Sequence, residues 1–106
     1  MIVPELDETI HQSTRLRIYA YLYANGETRF AELADGLDLT HGNLGSHLRR
    51  LERSGDVEVA RRFVDRRPET TYRLNASGSD RFERYVDRLT SVTAVLEANS
   101  EPIEAE

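Results

Sequence analysis

The sequence predicts a mainly α-helical domain carrying one small β-hairpin, in the order helix, helix, helix, hairpin, helix. Three observations lead there. Apolar residues recur at three- and four-residue steps through three stretches of the first half of the chain. Val57, Val59 and Ala60 then open an extended run that is answered by a β-branched and aromatic run at residues 70–74. Beyond Asn75 the helical spacing returns, at Phe82, Tyr85, Leu89, Val92 and Leu96.

Residues 5–24 read as the first helix, with Leu6, Ile10, Leu16, Ile18, Tyr19, Leu22 and Tyr23 as its apolar positions. Ser13 and Thr14 have side chains that compete for backbone hydrogen bonds, so a break near Gln12 into two short helices is the alternative. Asn25-Gly26 is a turn signal, and residues 28–30 read as a short extended stretch. Phe30, Leu33, Ala34 and Leu37 mark one face of a second helix, with Gly36 near its end.

Asp38-Leu39-Thr40 is a tight connection in which Thr40 suits an N-cap, its hydroxyl accepting from the next turn. Leu44, Leu48 and Leu51 give the third helix a narrow apolar stripe, and Gly55 after Ser54 suits a left-handed C-terminal position. The extended run from Val57 reaches Phe63. Asp65-Arg66-Arg67-Pro68 interrupts it, so the hairpin is expected to have a long, arginine-rich tip stiffened by Pro68. Asn75 is the expected N-cap of the last helix, whose 3-4-3-4 apolar steps form an a/d seam. Residues 1–96 are expected to form one domain, with residues 75–96 as its last helix and residues 97–106 as an acidic, disordered tail.

Composition narrows the function. The chain has 106 residues, a net charge of −5 and no cysteine, which excludes disulfides, thiolate metal sites and cysteine nucleophiles. The three histidines, His11, His41 and His47, include no pair at i,i+4 spacing. No glycine-rich phosphate loop follows a strand, and nothing arranges Ser, His and Asp as a triad. No metal, no cofactor and no enzymatic activity are therefore expected. The first residues carry no signal-peptide pattern, and no apolar run approaches the ~20 residues that span a bilayer, so a cytoplasmic location is expected.

The charge is unevenly placed. Every one of the fourteen basic residues is arginine, and residues 40–73 hold eight of them against five acids. Arginine suits bidentate contacts to phosphate and guanine. Three helices followed by a hairpin is the order of a winged helix, and two helices joined by residues 38–40 fit a helix-turn-helix. With the leucine stripe of the third helix inward, Gly42, Asn43, Ser46, Arg49, Arg50 and Arg53 project outward. Two glycines early in a helix each cost about 1 kcal/mol, so Gly42 and Gly45 point to close approach by a partner rather than to stability.

The expected contacts to double-stranded DNA are Thr40, His41, Asn43, Ser46, His47, Arg49, Arg50 and Arg53 from the helix. Asn43 is suited to adenine, and Arg49 or Arg50 to guanine or phosphate. His47 is placed at the helix edge, bonded to backbone or phosphate. From the hairpin tip, Arg62, Arg66 and Arg67, with Arg61 beside them, suit phosphate or a narrow minor groove.

Three segments, LDETIHQSTRLRIYAYLYA, RFAELADGLDLTHGNLGSHLRRLERSGDVEV and RRPETTYRLNASG, resemble compact winged-helix regulators of the MarR and ArsR type. The pattern that carries the resemblance is Leu39-Thr40, Gly42-Asn43-Leu44, His47-Leu48, Leu51-Glu52, Gly55 and Val57. It implies a homodimeric transcriptional regulator with residues 40–54 in the major groove and the hairpin as wing. ArsR-like metal sensing through thiolates is excluded by the absence of cysteine. Gly45 stands where the pattern commonly has serine. Asp56 stands where an aromatic is usual, which puts an acid near the expected DNA face.

Phe82, Tyr85, Leu89, Val92 and Leu96 are the expected dimerisation seam, the first two also packing on their own domain. A dimer sets two recognition helices about 34 Å apart on a pseudo-palindromic site. A crevice lined by Tyr19, Tyr23 and Tyr85 is either a small-molecule effector site or, as expected at this chain length, a packed aromatic core. The competing reading is a winged-helix module that binds protein and not DNA, which the acidic net charge favours.

Overall fold

Where the first helix begins is decided by Asp7. In the computed structural model, which describes residues 3–99, its Oδ1 accepts from the backbone N–H of Thr9 (2.9 Å) and of Ile10 (3.2 Å). These bonds close a turn that drives Ile10 fully into the core. The first helix, α1 (Ser13–Asn25), starts only after Gln12, whose side chain accepts from the N–H of Arg15 at 2.8 Å. The break near Gln12 is therefore present, with a turn rather than a helix ahead of it. Gly26, at φ 72°, ends α1.

Strand β1 (Thr28–Arg29) leads directly into α2 (Phe30–Leu37). Asp38 adopts the left-handed conformation that turns the chain after α2, and its N–H reaches the carbonyls of Ala34 and Asp35. Thr40 caps α3 (His41–Arg53) by accepting from the N–H of Asn43 at 3.1 Å. Leu44, Leu48 and Leu51 are buried against α1 and α2 residues such as Ile18, Leu22, Leu33 and Leu37. Burying a leucine side chain of this kind stabilises by about 1.5–3 kcal/mol.

The hairpin departs from expectation in two ways. β2 (Val57–Val64) and β3 (Arg67–Leu74) pair over eight registered positions, from Val57↔Leu74 to Val64↔Arg67. The tip is consequently a two-residue turn, Asp65-Arg66, and not a long loop; Arg67 and Pro68 already belong to the strand. Both turn residues have positive φ (50° and 65°), as a two-residue turn matched to strand twist requires. In addition, residues 28–29 are a third strand: β1 pairs antiparallel with β3, giving the order β1-β3-β2.

Asn75 caps α4 (Ala76–Asn99), its Oδ1 accepting from the N–H of Gly78 at 2.7 Å. Asn75 also donates through Nδ2 to the carbonyl of Gly55 (2.7 Å) and through its backbone N–H to the carbonyl of Asp56 (3.1 Å). The start of α4 is thus stapled to the turn that follows α3. Phe82 and Tyr85 fill the core from α4, with the Phe82 ring stacked on Tyr19 at 5.9 Å between centroids. The helix continues to Asn99, so residues 97–99 of the expected tail are helical; its remainder, residues 100–106, lies outside the described residues.

Asp56 overturns its expected position. It is 1% exposed, and its Oδ2 accepts from the Tyr19 hydroxyl (2.5 Å) and from Nη1 of Arg81 (3.0 Å). Arg81 bonds Asp7 as well, through Nε at 2.7 Å. The acid thus lies beneath α4, away from α3's outer face. It ties α1, the α3–β2 turn, α4 and the N-terminal turn together.

Candidate nucleic-acid interface

The leucine stripe dictates what α3 shows to solvent. His41, Gly42, Asn43, Ser46, Arg49, Arg50 and Arg53 are all exposed, as is Thr40 at the cap. A Cβ on Gly42 would meet nothing within 4 Å, and one on Gly45 only the Arg49 guanidinium at 3.4 Å. Packing among the described residues demands neither glycine. His41 packs edge-on against Phe30 at the start of α2, with centroids 5.2 Å apart.

His47 is half-buried, and its neighbour is a side chain, not backbone. Its Nδ1 lies 3.5 Å from Nη1 of Arg15, which is itself buried and held by the carbonyls of Thr9 (2.5 Å) and Glu8 (3.4 Å). Burial, then the charges of Arg15 and Arg50, hold the His47 imidazole below its ordinary pKa of 6.5, so it is neutral at pH 7. Burial and the Arg50 charge likewise lower Arg15.

The wing's register sorts its arginines. Side chains alternate across a ribbon, and Arg61 shares the helix-facing side with Val57, Val59 and Tyr72. Burial pushes the Tyr72 phenol up; the charge of Arg61 acts to lower it, that of Glu52 to raise it and that of Arg49 to lower it. Arg62 points the other way. It is ion-paired with Glu27, which also accepts from the Thr71 hydroxyl at 2.7 Å. Arg62, an expected DNA contact, is thus ion-paired within the chain, and Arg61 lies on the helix-facing side of the ribbon.

The inventory of arginine partners is informative. Arg29, Arg62, Arg73, Arg81 and Arg84 pair with carboxylates. Arg15, Arg17 and Arg88 bond backbone carbonyls. Among the described residues, the arginines left with no such partner are Arg49, Arg50 and Arg53 on α3 and Arg61, Arg66 and Arg67 on the wing, all exposed.

A family model described as a winged helix DNA-binding domain matches residues 14–93, which spans α1 through most of α4. The chain belongs to this winged helix DNA-binding domain family. An uncharacterised protein of Methanocaldococcus jannaschii is 31% identical over 83 residues, covering 78% of this chain and 90% of that protein. A solved structure of a transcriptional regulator homologue from Pyrococcus horikoshii OT3 superposes with a TM-score of 0.80. It shares 32% identity and covers 85% of this chain and 89% of that one. The PcaV transcriptional regulator from Streptomyces coelicolor, solved with its natural ligand, shares the fold at 20% identity and a TM-score of 0.73, over 91% of this chain and 67% of PcaV.

As a winged helix, the chain has its helix-turn-helix in α2 and α3 and its wing in β2 and β3. The tyrosine crevice is filled: Tyr19 and Tyr85 are buried in the core, and Tyr85 is bonded to His11 at 2.8 Å. Tyr23 is exposed and borders a shallow recess of about 230 Å³ with Phe82 and Val86. On α4, Phe82 and Tyr85 face the chain's own core. Leu89 and Val92 are half-buried, and Leu96 is 75% exposed. No helix among the described residues is long and apolar enough to cross a membrane.

One contact has no signal in the sequence: Arg15's place beside His47, because the two residues lie on different helices. The sidedness of the wing arginines does have one, since period-2 alternation from Val57 puts Arg61 on the helix side and Arg62 on the other.

Proposed function

We propose that this winged-helix regulator binds double-stranded DNA sequence-specifically as a homodimer, α3 lying in the major groove and the wing tip over the adjoining minor groove. The observation that carries the reading is the distribution of unpartnered arginines. In an acidic protein, the arginines left without a partner among the described residues are those of α3 and the wing. Asn43 is placed to read adenine, and Arg49 or Arg50 to read guanine or phosphate. Each good bidentate pair contributes about 1–3 kcal/mol of discrimination. Thr40, His41, Ser46, His47 and Arg53 complete the helix face, and Arg61, Arg66 and Arg67 supply the wing. Leu89, Val92 and Leu96 on the far half of α4 form the dimer seam; Phe82 and Tyr85 anchor its base.

The net charge of −5 favours a second reading, a protein-binding module. A random-oligonucleotide selection at two salt concentrations separates the two, because phosphate contacts release counterions and make affinity fall steeply with salt. Arg49→Ala or Arg50→Ala should weaken the selected duplex with folding unchanged. Arg66→Ala with Arg67→Ala should flatten the salt dependence. Leu89→Glu should yield monomers by mass. Absence of duplex binding at low salt would establish the protein-binding reading instead.

A further inference from the structure

Phe63 is 78% exposed, more than any other large hydrophobic residue among those described. It lies one pair from the end of the ladder, opposite Pro68, with only Val64↔Arg67 and the Asp65-Arg66 turn beyond it. Residues directly opposite on an antiparallel pair share a face, so the aromatic ring and the proline ring stand together on the side that also carries Arg61 and Tyr72. Among the described residues nothing covers them. Leaving a phenylalanine in water forgoes about 1.5–3 kcal/mol of burial, and a polar residue would serve a solvent-exposed strand better.

We propose that Phe63, backed by Pro68, is an apolar wedge that enters the DNA minor groove and parts a base step under the wing. The occupant follows from charge. Arg61 shares the face of the two rings, Arg66 sits in the turn just beyond them and Arg67 stands on the opposite face of the same tip; all three are exposed and have no partner among the described residues, so the complementary surface is a polyanion that also offers a flat apolar face. The π-face of a base, laid bare when a step opens, is such a face. Phenylalanine and proline are among the side chains that unstack steps and kink the duplex toward the major groove. The cost of unstacking depends on sequence, and pyrimidine–purine steps open most readily. Phe63 would thereby read a step that no hydrogen bond contacts, adding a specificity element to the arginines.

This rests on the DNA-binding reading, and the test keeps the two apart. The probe is a duplex obtained by selection on the full-length protein, with a fluorescent purine analogue placed in turn at each step under the wing. Such an analogue brightens when unstacked. Wild-type protein should brighten the probe at one step, and Phe63→Ala should abolish that signal while lowering affinity on the order of tenfold. The salt slope should be unchanged, because no charge is removed. Phe63→Leu should restore part of both effects.

If wild-type protein binds the duplex without brightening any step, the wedge is overturned and the DNA reading stands. If Phe63→Ala binds and brightens like wild type, or loses only its dimeric mass, Phe63 has another role and the wedge is equally overturned. If no duplex is bound at all, both readings fail together.

Discussion

The Tyr19 hydroxyl donates a 2.5 Å hydrogen bond to the carboxylate of Asp56, joining two buried side chains thirty-seven residues apart in the chain. Burial first, and the carboxylate next, push the Tyr19 phenol far above its ordinary pKa, so it stays a donor at every working pH. Tyr19→Phe keeps the ring stacked on Phe82 and removes only the donor. The cost of leaving a buried acceptor short of a partner is about 1–3 kcal/mol. Urea unfolding should show a loss of that size with an unchanged m-value, and an unaltered midpoint would mean Arg81 alone satisfies Asp56.

Gly78 and Gly42 should respond to alanine with opposite signs. A Cβ on Gly78 falls well inside contact distance of the Asp56 carbonyl oxygen, a backbone atom held by Asn75. Overpacking of this kind costs about 1–3 kcal/mol. A Cβ on Gly42 meets open space, and alanine in the first turn of α3 gains at most the about 1 kcal/mol it has over glycine in a helix interior. Thermal melts of the two variants check the pair: Gly78→Ala falls and Gly42→Ala holds or rises. Gly42→Ala should also weaken duplex binding, because the methyl group stands on the outer face of α3.

Arg66 sits at φ 65° in the wing turn, a left-handed conformation that costs a residue with a Cβ roughly 1 kcal/mol or more. Arg66→Gly should therefore stabilise the free protein by about that amount. The same change removes a cation from the tip, so it should reduce the salt dependence of duplex binding. A variant that is more stable yet binds more weakly is the expected combination, read by melting temperature and by titration at several salt concentrations.

Asp7 makes stability depend on acid. Burial raises its pKa, but the Arg81 hydrogen bond, the Ile10 amide, the Arg81 charge and the Thr9 amide together bring it below 3.8. A carboxylate whose folded pKa is depressed contributes stability that is fully present above its unfolded value and is lost as pH falls through the folded one. The loss should begin below about pH 4. Asp7→Asn should be less stable than wild type at neutral pH, and the difference should shrink as the pH is lowered through this range in denaturant titrations.

Local chemistry made much of the fold legible. The leucine stripe of α3, the Thr40 and Asn75 caps and Gly55 at φ 84° are short-range effects written in adjacent residues. The wing tip was harder. Arginine is uncommon at a left-handed turn position and no glycine follows Asp65, so Asp65-Arg66 did not announce a two-residue turn, and Pro68 suggested a loop where it lies in the paired strand opposite Phe63. Asp56 misled for a different reason: a charge in sequence looks like surface until its partners, Tyr19 and Arg81, are seen to converge on it.

Periodicity, capping residues and the clustering of arginine between residues 40 and 73 determined, from the chain alone, the helix order, the helix-turn-helix and the basic character of its second half. Tertiary structure alone decided which arginines remain available, because that depends on carboxylates distant in sequence: Glu27 removes Arg62, Asp7 and Asp56 claim Arg81, and no described residue claims Arg61. Pairing between residues far apart in the chain is set by packing geometry, which no local pattern encodes.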